Sequence, residues 1–114
     1  MGRTMGLSRE LREVLRKLDE GSLDPVLLGR AGELLEVNGH TDTAAELFAL
    51  AAAVHAEGGG PLKAVALLKR SLVLNPDRTG ARQTLVQLYE SLGLEPEATA
   101  ERRRPASRPA RRLQ

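Results

Sequence analysis

Residues 61–76 read Pro-Leu-Lys-Ala-Val-Ala-Leu-Leu-Lys-Arg-Ser-Leu-Val-Leu-Asn-Pro and follow the glycine run 58–60. Proline is well suited to the first position of a helix, whereas the pair Asn75-Pro76 is typical of a helix end. Most residues between these two signals are leucine, alanine, lysine or arginine, all good helix formers. The stretch therefore predicts a helix over 61–74.

Similar signals divide the rest of the chain into helices. Ser8 and Asp24 stand as N-caps before apolar residues at helical spacing, and Asn38-Gly39 and Gly93 are typical of helix ends. Connections of a few residues favour antiparallel neighbours, so the sequence predicts an all-α fold of stacked helical hairpins. We expect a flexible N-terminus at 1–7 and one helical domain at 8–100, with a capping helix at 8–20, helices at 25–38, 42–57, 61–74 and 77–92, and a weak helix at 95–101.

The composition excludes several classes of protein. A chain of 114 residues with 41% apolar residues fits one folded domain. The absence of cysteine excludes disulfides, thiolate catalysis and zinc sites that contain cysteine. Every apolar run is too short to form a membrane-spanning helix, and the first residues lack the apolar stretch of a signal peptide. We therefore expect no membrane span and a cytoplasmic location.

The chain repeats a short pattern at two constant shifts. At the longer shift, His55, Gly59 and Ala64 correspond in order to Tyr89, Gly93 and Ala98. The shorter shift relates the residues at 39–48 to those at 59–68. At that shift, Gly39, Ala44 and Phe48 correspond to Gly59, Ala64 and Leu68.

The longer shift is a 34-residue period of helix-turn-helix units, and in this the chain resembles the tetratricopeptide repeat family. The resemblance covers residues 25–98, is most specific over 63–76, and implies a short solenoid of five or six helices. The first two units overlap, so that helix 42–57 belongs to both. Arg82 and Arg102 stand where the family has large apolar residues. A helical hairpin array of another type is the alternative.

The resemblance implies a non-catalytic adaptor or scaffold that binds a partner protein in a groove lined by the first helix of each unit. The side chains of this groove are mixed apolar and acidic, which suits a basic or amphipathic helix better than an acidic tail. The family's basic clamp for a carboxylate terminus is not reproduced. The groove residues implied here are Val26, Arg30, Glu33, Val37, Ala49, Ala53, Glu57, Gln83, Thr84, Gln87 and Glu90.

Catalysis has little support in the sequence. His40 and His55 show no spacing that indicates shared metal ligation, and Glu33 and Glu36 fit a solvated helix face. The run 58–60 resembles a phosphate-binding loop only superficially, because Pro61 lacks an amide donor and no Ser or Thr follows Lys63. We therefore expect no enzyme activity, no cofactor and no metal.

The C-terminal residues 102–114 form a basic tail. The tail carries six arginines and no acid, whereas residues 1–101 hold 11 basic against 15 acidic residues, a net of −4. Such a segment is expected to be disordered and either to solubilise the chain, to reach acids such as Glu90, or to bind an anionic partner. An accessory protein that binds nucleic acid through this tail is the alternative function. The tail arginines are Arg102, Arg103, Arg104, Arg108, Arg111 and Arg112.

A short array also has an open end. We expect apolar surface near Leu85, Leu88, Leu92 and Leu94, and through it a homodimer with two-fold symmetry.

Overall fold

The computed structural model describes residues 9–105, and every regular element in that range is an α-helix. The predicted all-α fold is confirmed. Its six helices are α1 (Arg9–Asp19), α2 (Pro25–Val37), α3 (Thr41–Glu57), α4 (Pro61–Leu74), α5 (Thr79–Ser91) and α6 (Glu95–Arg102).

The observed helix bounds lie within two residues of the expected ones, and two of the differences bear on later contacts. α5 begins at Thr79 rather than at 77, because the side-chain oxygen of Asn75 accepts the backbone N–H of Asp77 at 3.1 Å and fixes a turn there. α6 includes Arg102, which the sequence analysis places at the start of the basic tail. The Arg102 guanidinium donates to the Glu90 carboxylate on α5 at 2.7 Å.

Three helix connections share one backbone geometry closely, and the turn at Gly21 after α1 follows it with a longer hydrogen bond of 3.4 Å. Gly39, Gly59 and Gly93 follow α2, α3 and α5 with φ of +87°, +86° and +77°. In each turn the next residue donates its backbone N–H to the carbonyl five positions earlier, at 2.8, 2.7 and 2.8 Å. In this type of helix ending, a glycine adopts the left-handed conformation, and the following N–H groups donate hydrogen bonds to the last carbonyls of the helix. The shorter and the longer sequence shift therefore correspond to one repeated turn.

Small residues follow each of these turns at the same distance. Ala44, Ala64 and Ala98 stand five positions after the three glycines, and all are 0% exposed. A methyl side chain lets helix backbones approach closely, so each turn leads directly into a tight helix contact. Another close approach joins α2 and α3, where a Cβ on Gly32 would lie 2.9 Å from a ring carbon of Phe48.

The substantial helix contacts join sequence neighbours, from α1–α2 through to α5–α6. They bury two groups of apolar side chains, which we call the N-terminal cluster and the C-terminal cluster. Residues of the N-terminal cluster are Leu11, Val14, Ala31, Leu35, Ala44 and Phe48. Residues of the C-terminal cluster are Ala52, Ala64, Leu68, Leu72, Ala81, Leu85, Val86, Tyr89 and Ala98.

Polar contacts fix α4 against both α3 and α2. The Ser71 hydroxyl is buried and donates to the carbonyl of Ala45 on α3 at 2.8 Å. Arg70 donates to Glu36 on α2 at 2.8 Å, and its guanidinium carbon lies 4.8 Å from the ring centroid of Phe48. The Glu36–Arg70 pair joins residues one full repeat period apart, so α2 and α4 lie side by side.

Candidate functional site

The groove residues on α2 are all on the surface, but the charged ones are already paired. Val26 and Val37 are 72% and 84% exposed. Between them, Arg30 donates to both carboxylate oxygens of Glu10 on α1 at 2.9 and 3.0 Å, and to Glu33 at 3.2 Å. The hydrogen bond from Arg30 lowers the pKa of the Glu10 carboxyl below its ordinary value. Arg30 therefore links α1 to α2 as well as lying on the groove surface.

The groove residues on α3 and α5 have mixed surroundings. Ala49 is half-buried against the C-terminal cluster, whereas Ala53 and Glu57 are exposed. On α5 all four residues are exposed; Thr84 donates its hydroxyl to the Gly80 carbonyl of its own helix, and Glu90 accepts from Arg102. The other two α5 residues, Gln83 and Gln87, line a cleft described below.

The structure does not gather these groove residues on one pair of packed helices. The substantial contacts of α2 are with α1 and α3, and those of α5 are with α4 and α6. The Glu36–Arg70 pair instead places α4 beside α2. The surface beside the α2 residues is therefore a face of α4. None of the predicted groove residues lies on α4.

This α4 face carries exposed apolar side chains in the same spacing as the α2 residues. Leu62 and Val73 are 68% and 80% exposed, and Ala66 and Lys69 between them are exposed as well. The spacing i, i+4, i+7, i+11 places such residues on one helix face. We call the two stripes together the α2–α4 face. It consists of Val26, Arg30, Glu33 and Val37 with Leu62, Ala66, Lys69 and Val73.

Helix geometry places both stripes on the same side of the molecule. Both helices pack on α3 through short connections and therefore run in the same direction. With roughly 100° between successive residues, Glu36 lies about 90° to one side of the α2 stripe and Arg70 about 70° to the opposite side of the α4 stripe. Since these two residues meet in an ion pair, the stripes face outward together.

The open end expected at the C-terminal side is not an exposed apolar surface. Leu85 is 1% exposed, and Leu88, Leu92 and Leu94 are half-buried. The prediction is wrong there because α6 packs on α5 and inserts Ala98 into the C-terminal cluster. The expected dimer therefore has no exposed leucine patch at this end.

A buried ion pair between α5 and α6 is a second feature that sequence reasoning missed. The side chains of Arg82 and Glu101 are 11% and 8% exposed, and Arg82 Nε donates to Glu101 at 3.2 Å. Arg82 also donates to the Pro76 carbonyl at 3.0 Å, and Glu101 accepts from Arg104 at 3.1 Å. A signal did exist, because Glu101 stands three residues after the small, inward-facing Ala98 and so shares its helix face.

Arg82 separates two clefts. One has a volume of about 520 Å³ and lies among α4, α5 and α6, with Tyr89 and Glu97 in its lining. Burial is the main cause that raises the pKa of the Tyr89 hydroxyl, and the nearby charges of Glu101 and Glu97 add to it. The second cleft, of about 530 Å³, lies between α5 and the end of α6 and has three arginines in its lining.

The remaining predictions concern chemistry and the tail. Across residues 9–105, no group of three or more His, Asp or Glu side chains is placed to hold a metal ion. No helix in the same range is both long and apolar enough to cross a membrane. Of the tail arginines, Arg102, Arg103 and Arg104 are exposed, and Arg108, Arg111 and Arg112 lie outside the described residues.

Comparison of the chain with protein-family models, with curated proteins and with solved structures finds no match in any of the three. The resemblance to tetratricopeptide repeats therefore stays a prediction from the sequence.

Proposed function

We propose that this chain is a non-catalytic, tetratricopeptide-like interaction module that binds a partner protein through the α2–α4 face. The observation that carries the proposal is the exposure of Val26, Val37, Leu62 and Val73, each more than two-thirds exposed. Single apolar residues on a surface are ordinary, but four strongly exposed ones at corresponding positions of α2 and α4 favour an interaction site.

The dimensions of the face suit an amphipathic helix. Each stripe covers eleven residue steps, or about 16 Å of helix, which equals three turns of a partner helix. Apolar residues stand at both ends of each stripe, and Arg30, Glu33 and Lys69 lie between them. The bound helix would place apolar side chains against the valines and Leu62, with charged side chains of both signs at its centre.

The repeated turns and buried alanines support the tetratricopeptide-like part of the proposal. Ala44, Ala64 and Ala98 occupy the positions where that family has small residues between paired helices. The Glu36–Arg70 pair adds a contact between helices one period apart. Both features are what stacking of helix-turn-helix units requires.

Site-specific photo-cross-linking tests the binding face. A photoreactive residue at position 37 or 73 of the full chain is expected to cross-link a partner in the native extract. The matched control carries the same residue at position 53, because Ala53 is exposed on α3 outside the face. Equal capture from all three positions would contradict the proposal.

Reconstitution with the captured partner then tests the contact itself. Val37→Glu combined with Val73→Glu is expected to weaken binding at least tenfold, whereas Ala53→Glu is expected to leave affinity within about twofold. Cross-linked dimers of this chain would identify a second copy as the occupant of the face. Unchanged affinity of the double variant for the captured partner would refute the α2–α4 face.

A further inference from the structure

The cleft between α5 and the end of α6, which we call the arginine cleft, has an unusual lining. Its volume is about 530 Å³. Guanidinium, amide and hydroxyl groups supply its polar lining, and none of the described residues that line it is acidic. The lining residues are Thr79, Arg82, Gln83, Val86, Gln87, Arg102 and Arg104.

The guanidinium of Arg82 is incompletely hydrogen-bonded. Its Nε donates to Glu101 and one terminal nitrogen donates to the Pro76 carbonyl. The other terminal nitrogen, Nη1, is buried and has no hydrogen-bond partner among the described residues. Buried donors in folded proteins are nearly always satisfied, so an unsatisfied N–H on a residue that lines both clefts favours an acceptor beside it.

The other two arginines have donors that a ligand can engage at low cost. Arg104 contacts Glu101 through Nε, and its side chain is 63% exposed. Arg102 pairs with Glu90 and Glu95, whose side chains are 45% and 65% exposed. The ion pairs of Arg102 are exposed and therefore weak, so an anion entering the cleft can replace them.

We propose that the arginine cleft binds a phosphate monoester. The inward carboxylate of Glu101 is shared by Arg82 and Arg104, so these two guanidinium groups have one counter-charge between them. A guanidinium offers two parallel donors that match phosphate oxygens, and a monoester carries close to two negative charges at neutral pH. The side-chain amides of Gln83 and Gln87 add neutral donors one helical turn apart on α5.

A monoester fits this site better than a nucleic-acid backbone. The lining is a single cleft with three cations, and its described residues include no aromatic side chain on which a base could stack. Binding of a monoester also has its own pH signature. Its second ionisation has a pKa of about 6, so affinity should rise as the pH increases from about 5.5 to 7.5.

NMR titration of the full chain with inorganic phosphate, O-phosphoserine and a phosphoserine peptide tests the site. The side-chain amide signals of Gln83 and Gln87 and the Arg82 Nε–H signal are expected to shift with all three probes. A peptide that binds at least tenfold more tightly than the two small probes would show that the monoester is presented by a protein. Equal affinities would show a site for a free phosphate compound.

Two variants that each lose one positive charge distinguish binding in the cleft from nonspecific electrostatic attraction. Arg104→Gln should weaken binding about tenfold, because one charge-assisted contact is lost. Arg103→Gln removes one positive charge from the neighbouring residue, whose side chain does not line the cleft. This variant should change affinity less than twofold. Equal losses in both variants, or no shift at the two glutamines, would overturn the proposal. So would tighter binding of a single-stranded oligonucleotide than of the phosphoserine peptide.

Discussion

The contact between Gly32 and Phe48 allows the repeat packing to be tested with a single methyl group. A Cβ at Gly32 would lie 2.9, 3.0 and 3.1 Å from three ring carbons of Phe48. The ring is 1% exposed and has the Arg70 guanidinium 4.8 Å from its centroid, so it has little freedom to move. Gly32→Ala should therefore overpack the α2–α3 contact.

Gly29 on the same helix provides the matched control. A Cβ at Gly29 would meet nothing within 4 Å. Both substitutions replace glycine within a helix, which alone stabilises by roughly 1 kcal/mol. Overpacking typically costs about 1–3 kcal/mol, so Gly32→Ala should be less stable than Gly29→Ala by that amount.

Thermal and urea unfolding followed by circular dichroism measures this difference. For a domain of this size each kcal/mol corresponds to roughly 4–8 °C in the melting temperature. Adding Phe48→Leu should reduce the cost of Gly32→Ala, because the ring that causes the clash is gone. Equal stability of the two alanine variants would refute the close packing of Gly32 on Phe48.

Two further predictions concern the buried ion pair and its surroundings. Glu101→Gln should destabilise the fold by about 3 kcal/mol, because it leaves the guanidinium of Arg82 buried without its counter-charge. The exposed Glu97→Gln should stay within about 0.5 kcal/mol in the same denaturant assay. Tyr89 should titrate above its ordinary pKa of 10.0, as followed by tyrosinate absorbance. Above that pH the unfolded chain releases a proton that the folded chain retains, so stability should fall as pH rises; an unshifted titration or a flat stability profile would contradict this.

Local signals in the sequence carried most of the information about the fold. Glycine, proline and asparagine act through the backbone of a few adjacent residues, so their positions predict where helices end. Asp24 illustrates this, since its side chain accepts the N–H of Val26 at 2.9 Å immediately before α2.

The candidate sites depended on contacts between helices, which the local pattern within one helix does not specify. Motif counting treated α2 and α3 alike as first helices of units, yet these two helices pack on each other. Two helices that pack on each other do not expose equivalent faces to one groove. The repeat pattern therefore did not indicate the exposed face of α4. The Arg82–Glu101 pair was missed for a related reason, because the partners are far apart in the sequence and α6 was expected to be weak.

Since the substantial helix contacts join sequence neighbours, the resistance of each helix to opening should depend on its place along the chain. α1 packs substantially on one helix alone, and so does α6, whereas α3 packs on two. Fraying from either terminus therefore breaks one interface at a time and leaves the middle of the stack intact. Amide hydrogens should exchange slowest in α3 and α4 and fastest in α1 and α6. A ligand held by α6 would then slow exchange where the free chain opens most readily.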